Sequence, residues 1–124
     1  MSFRPYRTLA LIPDDLPLSW AHLQAALPLS LGAIWAEGDP LKPLLFGTYT
    51  FTFSIEAGED VQEENAEILE GLGLDTHGFA RRVAYSGEAD DEMLHFNDHV
   101  LLMEALERAF PGVVLFDPEL GERI

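Results

Sequence analysis

One stretch of strict alternation constrains the fold of this 124-residue chain more than any other feature. It lies in the apolar run 44–58, where large apolar side chains occupy every second position and hydroxyl side chains occupy the positions between. Successive side chains of a β-strand point to opposite faces of a sheet, so this period of two predicts a strand with one buried face and one hydroxyl face. The two faces are Tyr49, Phe51, Phe53 and Ile55 against Thr48, Thr50, Thr52 and Ser54.

Further elements follow from local patterns along the chain. Helical periodicity predicts three helices, and Ser19 is a candidate N-cap of the first. The order is β-α-β-β-α-β followed by α-β, and its first six elements match the split β-α-β pattern of ferredoxin-like sandwiches. We therefore predict a single α+β domain over 1–124, a two-layer sandwich with a mostly antiparallel sheet of about five strands under three helices. The predicted strands are 6–13, 33–37, 44–58, 80–87 and 113–118, with a hairpin around the loop 38–43, and the predicted helices are 14–28, 59–73 and 93–110.

The composition is that of a globular protein. Apolar residues make up 48% of the chain, which is enough to bury a core at this length. No stretch approaches the roughly 18 uninterrupted apolar residues of a membrane-spanning helix, and the first residues lack the apolar region of a secretory signal peptide. The absence of cysteine excludes disulfides, thiolate catalysis and Cys-ligated zinc. We expect a cytoplasmic protein.

Charge narrows the class of partner. The chain has 22 acidic residues against seven Lys and Arg, a formal net charge of −15. Such a field repels nucleic acid and anionic membranes and attracts basic molecules, so we expect neither a nucleic-acid nor a membrane partner. The alternative interpretation is that the acidic surface only keeps the protein soluble.

The longest acidic segment coincides with the second predicted helix. Residues 56–70 contain seven acids and no basic residue. Like charges four residues apart on a helix each destabilise it by about 0.2–0.5 kcal/mol, so a bare acidic ridge favours a role in binding a basic partner. A surface that is acid-rich without any partner remains the competing interpretation. The residues we predict to bind a partner are Glu59, Asp60, Glu63, Glu64 and Glu67, together with Asp90 and Asp91 from the acidic cluster 88–92.

The segment "GEADDEMLHFNDH" at 87–99 offers the one candidate for metal chemistry. If the helix covers 93–110 and its first turn includes the preceding acid, Glu92, His95 and His99 share one stripe and form a half-site for zinc or iron. The zincin pattern is absent, because Phe96 stands where it needs glutamate, and no second Glu-x-x-His is present. The favoured alternative is that both histidines pack on the core-facing side of this helix.

Other catalytic patterns are absent from the sequence. The glycine-rich run 71–78 has Thr76 where a dinucleotide-binding loop needs its third glycine, and it follows a helix instead of a strand. There is no Walker A motif, and Ser86 is not in a nucleophile-elbow context. We therefore predict no catalytic residues and no cofactor.

The last predicted helix is apolar over much of its circumference. Leu94, Leu101 and Ala105 lie away from the core-facing stripe, which predicts burial on a second side. One way to bury it is a homodimer through 93–110, and the alternative is a cover formed by the last strand or the 38–43 loop.

Taken with the charge, the sequence predicts a small acidic non-enzymatic protein that binds a basic macromolecule, as inhibitors, immunity-type proteins and some regulators do. The alternative is a metal-binding or metal-dependent enzyme domain that uses Glu92, His95 and His99.

Overall fold

Ten helices and strands are present in the computed structural model, which describes residues 5–27, 33–38 and 41–124. The end of the first predicted helix at Pro28 and part of the 38–43 loop lie outside the described residues. No helix in the described ranges is long and apolar enough to span a membrane. The elements are β1 (Thr8–Ile12), α1 (Trp20–Ala26), β2 (Ile34–Trp35), β3 (Lys42–Phe46), β4 (Tyr49–Ala57), α2 (Glu59–Gly71), β5 (Arg81–Gly87), α3 (Phe96–Ala109), β6 (Val114–Asp117) and β7 (Glu122–Arg123).

The strands form one antiparallel sheet in the order β2-β3-β4-β5-β1-β6-β7. The prediction of an antiparallel α+β fold with three helices is confirmed, but the sheet has seven described strands instead of about five. One additional strand arises because the predicted strand 44–58 is a hairpin, in which a two-residue loop joins β3 to β4. Gly47 occupies the first loop position with φ of 64°, a conformation that glycine adopts without steric cost. The other additional strand is the short β7 in the C-terminal tail.

The strand order is not that of a ferredoxin-like sandwich. In that arrangement the first and third strands of the β-α-β-β-α-β unit lie side by side in parallel. Here β1 lies between β5 and β6 and pairs antiparallel with both, while α2 connects the neighbouring antiparallel strands β4 and β5. The elements follow one another along the chain as predicted, apart from the two additional strands. The ferredoxin-like order of strands within the sheet is not found, because local patterns do not determine which distant strands pair.

The helices cover both faces of the sheet, so the predicted two-layer sandwich is corrected to three layers. On the first face, Leu23 of α1 and Leu102 of α3 join the main core. On the second face, Leu69 of α2 packs with apolar side chains of β1 and β6. β1 is buried at all five positions, which is expected of a strand covered on both sides.

Strand β4 has the two faces that its sequence predicts. Phe51 and Phe53 are fully buried in the main core, next to Tyr49. Their packing includes edge-to-face aromatic contacts, such as the one between Tyr49 and Phe51 with ring centroids 5.1 Å apart. The hydroxyl side chains of Thr52 and Ser54 point to the second face, where they line a groove beside α2.

Helices α1 and α3 both start later than predicted. Ser19 caps α1 as expected, because its hydroxyl accepts a hydrogen bond from the amide of His22. Helix α3 begins at Phe96 instead of 93, because Met93 has a positive φ of 57° that is incompatible with a helix. Ala105 is buried in the core, and Leu94 lies ahead of the helix. Of the three residues predicted to form an apolar flank, Leu101 alone is therefore an exposed side chain on α3.

Candidate functional site

Five acidic side chains of α2 project into solvent without a counter-ion. All five are exposed, and none forms an ion pair with any Lys, Arg or His in the described ranges. Four of them were predicted from the sequence to bind a partner, and the fifth, Glu70, extends the same surface. We call this surface the acidic face of α2; it consists of Glu59, Asp60, Glu63, Glu67 and Glu70.

Glu64, also predicted to bind a partner, has a different environment. Its Oε1 accepts a hydrogen bond of 2.8 Å from Nη2 of Arg82, whose Nε donates over 2.7 Å to Glu56. Arg82 is only 7% exposed. Burial alone would lower the pKa of its guanidinium, but the hydrogen bonds and charges of the two glutamates outweigh this and raise it. Glu64 therefore anchors α2 to the sheet.

Asn65 completes this network. It is fully buried, its Oδ1 accepts a hydrogen bond from Arg82, and its Nδ2 donates over 2.9 Å to the carbonyl of Phe79. The amide therefore links α2 to the segment that enters β5. Sequence reasoning missed both Arg82 and Asn65. Their only local signals are an arginine within a short apolar strand and a polar residue on the inward side of an amphipathic helix.

A groove of about 620 Å³ runs along the second face of the sheet beside α2. This volume is within the range of sites that bind small molecules or side chains of a partner. Its floor carries hydroxyl groups, and its α2 wall carries Glu67 of the acidic face of α2. Apolar side chains and the charged side chains of Arg7, Glu56, Glu64 and Arg82 form the rest of the lining. Principal lining residues are Thr52, Ser54, Ser86, Ile68, Leu72 and Phe116.

Two basic side chains, those of Arg81 and Lys42, interact with parts of the fold other than α2. Arg81 donates to the carbonyls of Pro13 and Leu16 over 2.7 and 2.6 Å. Lys42 lies 5.3 Å from the centre of the Trp20 ring, a cation–π arrangement. Neither cation pairs with the acidic face of α2, and Arg7, which lines the groove, is paired with Glu119 over 3.3 Å.

Asp90 and Asp91, the other predicted partner-binding residues, differ from each other. Asp91 is exposed, whereas Asp90 accepts hydrogen bonds from the hydroxyl of Tyr6 over 2.6 Å and from the amides of Leu94 and His95. Desolvation raises the pKa of the Asp90 carboxyl, but these hydrogen bonds outweigh it and hold the pKa below its usual value. Both oxygens of Asp90 thus stabilise the turn that precedes α3.

The metal half-site predicted as the alternative does not form as a helical stripe. Glu92 is exposed and lies ahead of α3. Nδ1 of His95 lies 2.9 Å from Oδ2 of Asp98, and Nδ1 of His99 lies 2.9 Å from the hydroxyl of Tyr85. Across residues 5–27, 33–38 and 41–124, no three His, Cys, Asp or Glu side chains are grouped so as to hold a metal ion.

His99 instead borders a second, smaller cavity of about 300 Å³. The side chain is 8% exposed, and burial lowers the pKa of its imidazole to about 4, although the charge of Asp117 acts in the opposite direction. His99 is therefore neutral at pH 7. Tyr6, another lining residue, has a positive φ of 60°. His99 is buried next to the core, as the packing interpretation expected, and it also borders a cavity that the sequence did not indicate.

Known proteins do not indicate which of these features has a function. Comparison of the chain with protein families, curated proteins and solved structures found no match. The geometry and charge of the described residues therefore carry the functional argument.

Proposed function

We propose that this protein is a non-enzymatic binding protein whose partner is a macromolecule with a basic surface, and that the acidic face of α2 attracts this partner. The observation that carries the proposal is the absence of any ion pair to the five exposed acids of that face within the described part of the chain. Inhibition or regulation of a basic protein is the class of role that fits this surface.

The energetics of α2 support a use for these charges. Glu59 and Glu63, and again Glu63 and Glu67, lie four residues apart, so each pair destabilises the helix by about 0.2–0.5 kcal/mol. The fold supplies Arg82 to the one acid that faces the sheet. Cations from a partner would relieve the remaining repulsion, which makes binding more favourable than for a neutral helix.

Binding would proceed in two steps. The field of the acidic face of α2 raises the rate at which a basic partner meets this side of the molecule. Docking then uses the groove beside α2, where Ile68, Leu72 and Phe116 offer apolar contact and Glu67 borders both surfaces. The first step depends on salt, because ions screen exposed charges over about 8 Å at physiological ionic strength.

Charge reversal at the acidic face of α2 tests the proposal. The test variant carries Glu59→Lys, Glu63→Lys and Glu67→Lys and retains Glu64, so the network of Arg82 stays intact. Its matched control reverses three exposed glutamates away from this face and changes the net charge equally. The control substitutions are Glu92→Lys, Glu104→Lys and Glu107→Lys.

Wild type and both variants would be immobilised and exposed to a lysate of the source cells at low and at high salt. We expect the wild type and the control variant to capture the same protein at low salt and to release it at high salt. The test variant should capture little of this protein at either salt concentration. The captured protein should have a basic surface. Equal capture by both variants, or capture only of acidic proteins, would contradict the proposal.

Homodimerisation through α3 is a separate and narrower proposal. It rests on Leu101 of α3, which is 39% exposed, and on Leu94 just ahead of the helix, which is 72% exposed. Light scattering should then give twice the chain mass for the wild type and a lower mass for Leu94→Ser with Leu101→Ser. A wild type that stays at the mass of one chain at high concentration excludes the homodimer.

A further inference from the structure

The cavity next to His99 has features of a ligand site that the acidic face of α2 lacks. We infer that this cavity binds a small neutral molecule with an aromatic body and one hydroxyl group, a phenol-class ligand. The inference is independent of the proposed partner, because the cavity lies by the start of α3 and the C-terminal hairpin instead of along α2.

The first observation is a buried side chain with an unused hydrogen-bonding atom. Nδ1 of His99 is paired with the hydroxyl of Tyr85, but Nε2 makes no hydrogen bond within the described ranges. In those ranges the only fully enclosed side-chain nitrogen or oxygen without a partner is Nε1 of Trp35. Nε2 of His99 is therefore reached from open space, and the open space that His99 borders is the cavity.

The hydrogen bond with Tyr85 leaves Nε2 of His99 for the cavity. Burial raises the pKa of the Tyr85 hydroxyl, so this group stays protonated and can either donate to Nδ1 or accept from it. A ligand hydroxyl that accepts a hydrogen bond at Nε2 selects the tautomer with the ring proton on Nε2, in which Tyr85 donates to Nδ1. In that tautomer the cavity contains an N–H donor whose direction is fixed by the hydrogen bond on the other side of the ring.

Asp117 supplies an acceptor in the same cavity. Its Oδ1 accepts hydrogen bonds from the amides of Glu119 and Leu120, at 2.9 and 3.2 Å, whereas Oδ2 has no partner in the described part of the chain. A hydroxyl group matches this pair, since it accepts one hydrogen bond from Nε2 and donates one to Oδ2. A ligand without a hydroxyl leaves both groups unpaired, which weakens its binding.

The remaining walls favour an aromatic body. Phe96, Leu120 and Ile124 border the cavity and are 43%, 70% and 49% exposed, so a ligand would bury apolar surface that is now in water. The ring of Tyr6 lies against His99, with centroids 4.9 Å apart.

Charge excludes an anionic ligand. Asp117 and Glu119 border the cavity, and its single cation, Arg7, is already paired with Glu119 over 3.3 Å. The net charge of −15 further repels anions. The larger groove beside α2 carries no equivalent inference, because its buried cation Arg82 is satisfied by Glu56 and Glu64.

Phenol itself is the probe, with benzene and benzoate as matched controls. The ring nitrogens of His99 would be followed by heteronuclear NMR during titration of the full chain. We expect a saturable shift at His99 with phenol, with a dissociation constant on the order of 1 mM for so small a ligand, and the Nε2–H tautomer in the phenol complex. The exposed His22 should show no saturable shift.

The controls define the chemistry. Benzene and benzoate should each bind at least tenfold more weakly than phenol. Asp117→Asn should reduce the affinity for phenol about tenfold, and Leu120→Ala, a change at an exposed position that leaves the core intact, about threefold. Leu101→Ala, outside the cavity, should leave the affinity unchanged. The inference is overturned by an Nδ1–H tautomer in the phenol complex, by the absence of saturable phenol binding at His99, by equal affinities for phenol and benzene, or by affinities unchanged in both cavity variants.

Discussion

Nη2 of Arg82 lies 2.8 Å from Oε1 of Glu64, and this contact divides the acids of α2 into two groups. Glu64 faces the sheet and stabilises the position of the helix. The acidic face of α2 points away from it and has no counter-ion in the described part of the chain. The same helix thus separates a structural acid from a set of acids that we assign to partner binding.

Loss of Arg82 should destabilise the fold. Arg82→Ala leaves Oδ1 of the fully buried Asn65 without its donor and removes the cation between Glu56 and Glu64. Because both glutamates are partly exposed, we expect a loss of about 2 kcal/mol in the free energy of unfolding, less than for a fully buried pair. Urea denaturation measures this loss. Arg108→Ala, at an exposed position, should change stability by less than about 0.5 kcal/mol, and an equal effect of both variants would refute the role of the network.

Two glycines should respond in opposite directions to alanine. A Cβ at Gly87 would collide with the hydroxyl of Tyr49 and touch the ring of Tyr6, so Gly87→Ala should cost about 1–3 kcal/mol. Gly71 lies in the last turn of α2 with open space around it and a negative φ, so Gly71→Ala should stabilise the protein by up to about 1 kcal/mol. Thermal denaturation of both variants checks the pair. A Gly87→Ala variant as stable as the wild type would show that the packing around Tyr49 adapts.

The buried His99 should make the fold sensitive to mild acid. Its imidazole takes up a proton near pH 6.5 when unfolded, but in the folded state the pKa is lowered to about 4. The unfolded state therefore binds more protons between these values, and stability falls as the pH drops from about 6.5 to 4. The full contribution is on the order of 3 kcal/mol. His99→Phe should lose less stability than the wild type when the pH is lowered from 7 to 4.5, and equal losses would contradict the assignment.

The tyrosines should resist ionisation as long as the protein is folded. The chain has three tyrosines, and desolvation is the main cause that raises the pKa of each, to about 12 for Tyr49. The negative charge of Asp90 raises the pKa of Tyr6 and Tyr49 further. Tyrosinate absorbance should therefore be absent near pH 10 in the native protein and present at the same pH in guanidinium. Unfolded tyrosines release protons near pH 10, so stability should fall as the pH rises above that value. Native-state ionisation of any tyrosine near pH 10 would contradict these environments.

The sequence predicted those features that depend on local periodicity. The period of two predicted the faces of β4, and helical periodicity predicted α2 over 59–73, close to its bounds of Glu59–Gly71. The hairpin within 44–58 was missed, although its signal is present: buried apolar side chains occupy even positions up to Phe46 and odd positions from Tyr49. The run of four apolar residues in β1, Leu9 to Ile12, likewise indicated a sheet covered on both faces.

Features that depend on distant pairing were not predictable from local patterns. Arg82 reaches Glu56 because β4 and β5 are paired in a register that places these residues opposite each other. That register also brings Arg82 under α2, next to Glu64. The cavity at His99 similarly requires the start of α3 and the C-terminal hairpin to meet, which no local pattern indicates. Helical periodicity placed the acids of α2 on one side of the helix, and these acids are exposed, but the division between Glu64 and the acidic face of α2 required the fold.

The association rate constant with the captured partner, measured against ionic strength, tests the central claim most directly. We expect the variant with Glu59→Lys, Glu63→Lys and Glu67→Lys to associate at least about tenfold more slowly than the wild type at low salt, with a flatter dependence on salt. The control variant with Glu92→Lys, Glu104→Lys and Glu107→Lys should stay within about threefold of the wild type, because its changes lie away from α2 and its groove. Equal rate constants for the two variants, or a wild-type rate constant that does not change with salt, would contradict the account.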